Sequence, residues 1–406
     1  MQQPDPMPIS GRDDADPATR AMHVLILMSR TGGGHLASAR ALEAEFRRQA
    51  PATRVTIVDL LVDHLAFPFN RLPQTYDTLV NRAPRLWRAL WQATTRQTVG
   101  GASSSLVRLM SRTRIERLIR AVNPDLVVSV HPLVNDLVIP VLARTAPGTP
   151  YVTVVTDLGG IHPTWLHRGS RAIYLPTGEA LECAAAQGLP RGRLHALGLP
   201  VRAEFAHEAP DRAAARVGFG LAPDRPVVLV MGGGGGIGPI EAIVAATADA
   251  LAAAGGADKA QIAVIAAKNE GLRVRLAARP WPVPVVPLGF VERMAELMHA
   301  SDLLVTKAGP GTIAEASICG LPMLIFGFIP GQEEANVDHV VRAGAGLFEP
   351  DPTRLGALAA GLLTGDGGRL AAMAERARSL GRPLATRDIV ASILAHHGPS
   401  RGAGDR

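Results

Sequence analysis

The sequence predicts an α/β protein of two doubly wound halves, each a parallel sheet with helices on both faces, and three observations carry the prediction. Short apolar runs of strand length alternate with segments of helical spacing along most of the chain. The alternation breaks at residues 198–226, a stretch rich in Pro, Ala and charge, and then starts again. Each series opens with an apolar run that leads into a cluster of glycines. Short strands separated by helices are joined by crossovers, which lay the strands parallel and cover both sheet faces.

In chain order, residues 1–20 are polar, carry Pro4, Pro6, Pro8 and Pro17, and read as a disordered lead-in. His23–Met28 reads as a buried strand, Ala37–Gln49 as a helix and Val55–Asp59 as a second strand, with further strands at Leu126–Val130, Tyr151–Val155 and Ala172–Leu175. In the second series Val227–Met231 precedes helical spacing from Pro239 to Ala254, and Ile262–Ala266, Val283–Pro287, Leu303–Thr306 and Met323–Phe326 repeat the strand signal. Leu199–Pro210 reads as the linker, so the expected units are 21–200 and 201–385, followed by a C-terminal helix and tail at 386–406. Whether that last helix returns across the linker is left open by the sequence.

With 406 residues and 47% hydrophobic content, the chain is too long for one compact core and too apolar for disorder. Its two cysteines, Cys183 and Cys319, lack disulfide-framework or zinc spacing, which suits a reducing interior. The apolar run Met22–Met28 is far shorter than the roughly 20 residues a bilayer crossing needs. It follows Asp13, Asp14 and Asp16, the wrong flank for a signal peptide, so membrane association is expected to be peripheral. Net charge is +6, with only three lysines among the 42 basic residues. Arginine excess suits phosphate-bearing partners, and equally reflects the coding bias of a GC-rich genome. No zinc finger, basic helix or RNA-binding aromatic signature accompanies it, so no nucleic-acid partner is expected.

The first strand runs into Ser29-Arg30-Thr31-Gly32-Gly33-Gly34-His35 and then a helix. Such a turn exposes backbone N–H groups beside the positive end of a helix dipole, which suits an anion. Gly32, Gly34 and Ala37 satisfy GxGxxA, with Asp59 ending the next strand, so a dinucleotide reading is open. Gly233, Gly235 and Gly238 match GxGxxG in the second half, but the next strand ends in Ala267-Lys268-Asn269 without an acid, and neither loop has a Walker A ending. His35 lies at the mouth of the first turn, where an unperturbed pKa of about 6.5 would let it take a proton near neutrality. Packing of the loop is the plainer role for such a histidine.

The longest motif is Thr306-Lys307-Ala308-Gly309-Pro310-Gly311-Thr312-Ile313-Ala314-Glu315-Ala316. A strand ends, a Gly-Pro-Gly turn follows and a helix is expected near Thr312, with Thr312 and Glu315 spaced as a capping box. Alternatively the turn holds a diphosphate and Glu315 accepts ribose hydroxyls. Downstream, Ile329-Pro330-Gly331-Gln332-Glu333-Glu334-Ala335-Asn336 opens another helix with polar side chains suited to sugar hydroxyls. Residues 60–96 concentrate Phe67, Phe69, Tyr76, Trp87 and Trp91, interleaved with Arg71, Arg82, Arg85, Arg88 and Arg96. Trp87 and Trp91 share a helix face with Arg88 beside it, which suits an anionic bilayer surface or, alternatively, an ordinary buried face.

Together with Ser129-Val130-His131-Pro132, Thr153-Val154-Val155-Thr156-Asp157-Leu158, His162-Pro163-Thr164-Trp165 and Gly198-Leu199-Pro200-Val201-Arg202, these motifs resemble one group. It is the monogalactosyldiacylglycerol synthase and processive diacylglycerol glucosyltransferase group of glycosyltransferase family 28. The resemblance spans residues 22–350. It implies a GT-B fold, two Rossmann-like domains facing across a cleft, with a lipid acceptor in the first, a UDP-sugar in the second and no metal or other cofactor. It places the base on His35, with Asp157 as an assistant that could instead be a loop cap, and Gly33, Gly34 and His131 on the acceptor side. Nucleotide binding falls on Gly232, Gly233, Gly234, Lys268, Gly289, Phe290, Gly309, Pro310, Gly311, Thr312 and Glu315, and sugar contacts on Gln332 and Glu333. Arg85, Trp87, Arg88 and Trp91 become the expected membrane-facing residues. The plant enzymes carry an acid at the position of Gly235, a Cys-Gly pair at Ala266-Ala267 and an arginine near Lys268.

The implied activity is inverting transfer of a hexose from a UDP-sugar to a lipid, most simply diacylglycerol. A nucleotide-sugar 2-epimerase of similar fold and a non-catalytic UDP-sugar-binding protein are the alternatives. The aromatic–arginine segment counts against the first; intact His35, Glu315 and Gln332 count against the second. The expected location is cytoplasmic, peripheral on the inner face of the plasma membrane.

Overall fold

The structure is a computed structural model that describes residues 21–30, 33–71, 74–75, 79–80, 83–95, 97–232, 238–255, 260–365 and 367–397. The lead-in at 1–20 and the end of the tail lie outside those residues, as do Gly233, Gly234, Tyr76, Arg82 and Arg96.

Among the described residues, twelve strands form two six-stranded parallel sheets. The first contains β1 (His23–Met28), β2 (Arg54–Asp59), β3 (Leu126–Ser129), β4 (Tyr151–Val154), β5 (Ala172–Leu175) and β6 (Leu194–Ala196), in the order β2-β1-β3-β4-β5-β6. The second contains β7 (Val227–Met231), β8 (Gln261–Ile265), β9 (Val285–Leu288), β10 (Leu303–Lys307), β11 (Met323–Gly327) and β12 (Gly346–Phe348), in the order β12-β11-β10-β7-β8-β9.

β1 is apolar on both faces because both are covered. Val24 and Ile26 pack with Leu42 and Phe46 of the helix Gly34–Gln49. Leu25 and Leu27 point the other way, onto Ile115 and Ile119 of the helix Gln97–Val122 and Val138 of the helix Pro132–Thr145. β7 repeats the arrangement, with Val228 and Val230 against Ile243 and Val244, and Val227 and Leu229 against Leu297 and Ile313. Chain direction across each sheet reverses beside its first strand, between β1 and β3 and between β7 and β10. Crossovers leave these sheets on opposite faces there, opening a crevice at the carboxyl ends of the strands where ligands of such folds bind.

The segment between the sheets is not a loose tether. Leu199, Val201 and Phe205 are buried in the second domain's core with Leu221 and Val227. The helix Ala385–His397 returns to the first domain, where Ile389, Val390 and Ile393 pack with Val24 and Phe46. Its Thr386 hydroxyl accepts from Val201 N at 2.9 Å and donates to Val201 O at 2.6 Å, clamping the crossing chain.

Four elements differ from the sequence reading. β6 and β12 are three-residue edges, too short to display a period of two. The first helix begins at Gly34 rather than Ala37. The 26-residue helix Gln97–Val122 opens through Gly100, Gly101 and Ser103–Ser105, weak helix formers that hide it. Among the described residues no helix is long and apolar enough to cross a membrane.

Candidate active site

Three adjacent strand ends converge on His35. The turn after β1 reaches Gly33, whose φ of +77° suits glycine, and the helix Gly34–Gln49 starts there without a side-chain cap. Among the described residues nothing lies within 4 Å of where side chains on Gly33 or Gly34 would begin, so these two glycines border open space. His35 itself is buried, with Nδ1 2.8 Å from Val130 O after β3 and 2.9 Å from Thr156 Oγ1 after β4. A carbonyl only accepts, so Nδ1 carries the proton and Nε2 is the basic nitrogen. Burial drives the imidazole pKa down to about 4, against the modest upward pull of the Val130 hydrogen bond. The neutral form therefore dominates well below neutrality, which corrects the expectation of an unperturbed value.

His131 stacks at a tilt on His35, ring centroids 4.5 Å apart, and burial with the neighbouring ring holds its pKa well below the ordinary value. It also caps the helix Pro132–Thr145, its Nδ1 accepting from Leu133 N at 3.3 Å. Trp165 lies 6.3 Å from His35, centroid to centroid, and donates from Nε1 to Asp157 Oδ2 at 2.6 Å. Burial pushes Asp157 up to about 7; Trp165 pulls it down and Glu333 of the second domain adds a smaller upward push. The first domain thus presents an imidazole and a carboxyl on two sides of one indole.

Across the crevice, β10 ends at Lys307 and the helix Pro310–Cys319 begins two residues earlier than expected, with Gly309 at its cap and Pro310 as its first residue. Proline is favoured there because its missing N–H would have no helical partner. Thr312 and Glu315 consequently form no capping box. Glu315 instead faces the interdomain segment, Oε1 3.7 Å from Arg202 Nη2, with burial raising its pKa to about 7 and Arg202 lowering it.

Glu333, expected as a sugar contact, is held by a lysine and by its own loop. It is buried, and its oxygens accept from Lys307 Nζ at 2.7 Å and from Ile329 N at 2.9 Å. Those bonds fix the 329–333 loop and the Lys307 cation beside the Gly309 turn. Gln332 is half-buried in that loop. Gly232 is buried at the end of β7, while Gly233 and Gly234 are outside the described residues. Lys268 and Phe290 are exposed beyond the ends of β8 and β9, with Gly289 beside Phe290, on the same sheet edge as the turn.

In the aromatic–arginine segment the tryptophans are engaged within the chain, the alternative that the sequence left open. Trp91 lies on the helix Pro84–Thr95, packs against Trp87 at 6.0 Å and against His162 at 4.5 Å between centroids. Arg88 pairs with Glu334 of the second domain at 3.1 Å. Trp91 and Arg88 are therefore engaged within the chain; Arg85 is exposed. The spacing of two tryptophans identifies a face but not what covers it.

Lys307, Arg202 and Asn336 were given no role from sequence. Asn336 joins the two domains, donating from Nδ2 to Ala308 O at 2.9 Å and accepting from Gly159 N at 2.8 Å. All three sit inside motifs that sequence singled out, yet only tertiary contacts distinguish them from their neighbours. Among the described residues no three His, Cys, Asp or Glu side chains gather as a metal-binding group.

A family model described as Monogalactosyldiacylglycerol (MGDG) synthase matches residues 35–201, and another, Glycosyltransferase family 28 C-terminal domain, matches residues 227–381. Monogalactosyldiacylglycerol synthase 1, chloroplastic, of Arabidopsis thaliana is 37% identical over 388 residues, covering 95% of this chain and 72% of that protein. The chain belongs to the monogalactosyldiacylglycerol synthase family. As a member of that family it is a glycosyltransferase, and the 2-epimerase alternative falls.

Fold alone would not have separated the two. MurG of Acinetobacter baumannii is 17% identical with a TM-score of 0.57, covering 92% of this chain and 99% of that one. A putative UDP-N-acetylglucosamine 2-epimerase from Listeria monocytogenes is 14% identical with a TM-score of 0.58, covering 93% and 96%. Both share the GT-B arrangement of two Rossmann-like domains across a cleft. The expected location requires correction: the Arabidopsis member of the synthase family is named chloroplastic, which overturns assignment to the inner face of the plasma membrane.

Proposed function

We propose that the chain moves a hexose, galactose by the name of its relatives, from a UDP-sugar to diacylglycerol, inverting an α-linked donor into a β-glycolipid. The observation that carries this reading is a buried, neutral imidazole with Nδ1 tied to Val130 O, on the domain opposite a Gly-Pro-Gly turn flanked by a lysine. The acceptor hydroxyl attacks the anomeric carbon while its proton passes to His35 Nε2. The bond from that carbon to the UDP oxygen breaks on the opposite side, and the diphosphate keeps the electron pair. An imidazole held near 4 is a weak base, so the transfer belongs to the transition state, when the hydroxyl has become acidic. Ionised Asp157, beyond Trp165, favours the imidazolium that results.

On the donor side, Lys307 and the N–H groups of the Gly309–Thr312 turn meet the charge developing on the diphosphate, in a crevice where such dipoles cost no reorganisation. Glu315 accepts from the ribose and the exposed Phe290 offers a face to the base. No metal or cofactor enters this scheme. An anionic membrane surface supplies the acceptor. Its contact is better matched by Leu86, Leu106, Leu109 and Met110, all strongly exposed in the first domain, than by the engaged tryptophans.

His35→Ala should lower kcat about 10²–10⁴-fold while UDP affinity by calorimetry stays close to wild type. A variant retaining more than a tenth of kcat removes His35 as base. Leu106→Asp with Leu109→Asp should reduce sedimentation with anionic vesicles and spare UDP affinity; equal sedimentation ends the surface assignment.

A further inference from the structure

We infer that Trp91, with Arg88, is a positioning residue for the donor-sugar loop, strapping the acceptor-side helix Pro84–Thr95 onto residues 329–334 of the other domain. The inference rests on the transferase reading above and assigns that site a control on its geometry.

The loop is internally rigid. Glu333 ties its own carboxylate back to Ile329 N and sideways to Lys307, so Gln332 is held between two fixed ends. What those bonds leave unset is where the loop sits relative to the acceptor domain. Trp91 sets it. The indole Cδ1 would lie 2.6 Å from a Cβ on Gly331, so the ring rests on bare glycine backbone, and Gly331 has a φ of +82° that also favours glycine. The ring also contacts His162, at 4.5 Å between centroids. His162 Nδ1 accepts from Thr164 N at 3.3 Å, and the imidazole also hydrogen-bonds to the Trp91 backbone. His162 lies five residues after Asp157 and three before Trp165, in the loop that carries the first domain's carboxyl and indole.

One turn before Trp91, Arg88 reaches Glu334 at 3.1 Å, next to Glu333. Two independent contacts from one helix therefore grip the loop at residues 331 and 334. The same helix presents Arg85 and Leu86 to solvent. A lipid or acceptor that moves the helix pulls on Gly331 and Glu334, so acceptor docking and donor binding are coupled through Trp91.

The test compares Trp91→Ala, Trp91→Phe, Arg88→Glu, Glu334→Arg and the double charge exchange, assayed with UDP-galactose and diacylglycerol in mixed micelles. Trp91→Ala should raise the donor KM about tenfold or more with a smaller change in kcat, and Trp91→Phe should restore most of it. Each single charge reversal should raise the donor KM up to about fivefold, the upper end for a partly exposed pair, and the exchange should return it toward wild type. Faster amide exchange at 329–334 in Trp91→Ala should accompany these changes, a readout that needs no turnover. A donor KM within twofold of wild type in Trp91→Ala, with unaltered loop exchange, overturns the strap, as does a double exchange no better than its singles. Wild-type protein that transfers no sugar overturns the transferase reading instead, and the loop exchange then still judges the strap.

Discussion

Burial sets the chemistry of individual groups in this cleft. His35 and His131 are driven toward the neutral form and Asp157 and Glu315 toward the protonated form, by desolvation in every case. Each carries a stability consequence of definite sign. For Asp157 and Glu315 the folded pKa lies above the unfolded one, so their contribution is full below pH 4 and is lost as pH rises toward 7. For His35 the folded pKa is depressed, so its contribution is present above about 6.5 and is lost as pH falls toward 4. Asp157→Asn keeps an acceptor for Trp165 and removes the buried charge. Its melting temperature should exceed wild type by more at pH 8 than at pH 5, at about 2–4 °C for each kcal/mol recovered. Equal increments at the two pH values would show that Asp157 is not ionising in the folded protein. Activity should fall in the same variant, because the imidazolium loses its counter-charge.

Elements aim these groups, and here local sequence spoke clearly in some places and misled in others. The turn at Gly309–Thr312 was legible as a strand-to-helix junction, but Thr312 competed with Pro310 for the helix start. Preference for proline at the first helical position was the signal that decides it. Lys307 lies just past the strand expected at Leu303–Thr306 and ends it in the structure; its pairing with Glu333, 26 residues on, was not legible, since nothing local links them. At the end of β8, Ala267 adopts a φ of +50°, a left-handed conformation that costs a non-glycine residue roughly 1–2 kcal/mol. Ala267→Gly should therefore raise the urea midpoint with an unchanged m-value, by about 1 kcal/mol after the unfolded chain's added freedom is counted. A lower midpoint would mean that packing of the Ala267 methyl outweighs the relieved backbone.

The whole molecule is organised around contact between its domains at the crevice. Gly159 N donates to Asn336 Oδ1, and a Cβ at Gly159 would collide with the Ala335 carbonyl. Gly159→Ala should leave both domain cores folded by circular dichroism yet hold the halves apart. Small-angle scattering should report a larger radius, and kcat should fall by about 10²-fold for a displacement near 1 Å. An unchanged radius with normal kcat would show that the loop yields without opening the cleft.

Apolar periodicity, glycine turns and proline placement act within a few residues of themselves, and they determined the two doubly wound halves, the strand ends where ligands gather, and His35 and the Gly309 turn as candidates; Asp157 entered only through the family resemblance. Only the tertiary structure decided that Glu333 holds a lysine and a loop, that Trp91 and Arg88 grip the other domain, and that the last helix returns to the first sheet. It also decided the proton affinities of the cleft, because desolvation depends on everything that surrounds a group and not on its neighbours along the chain.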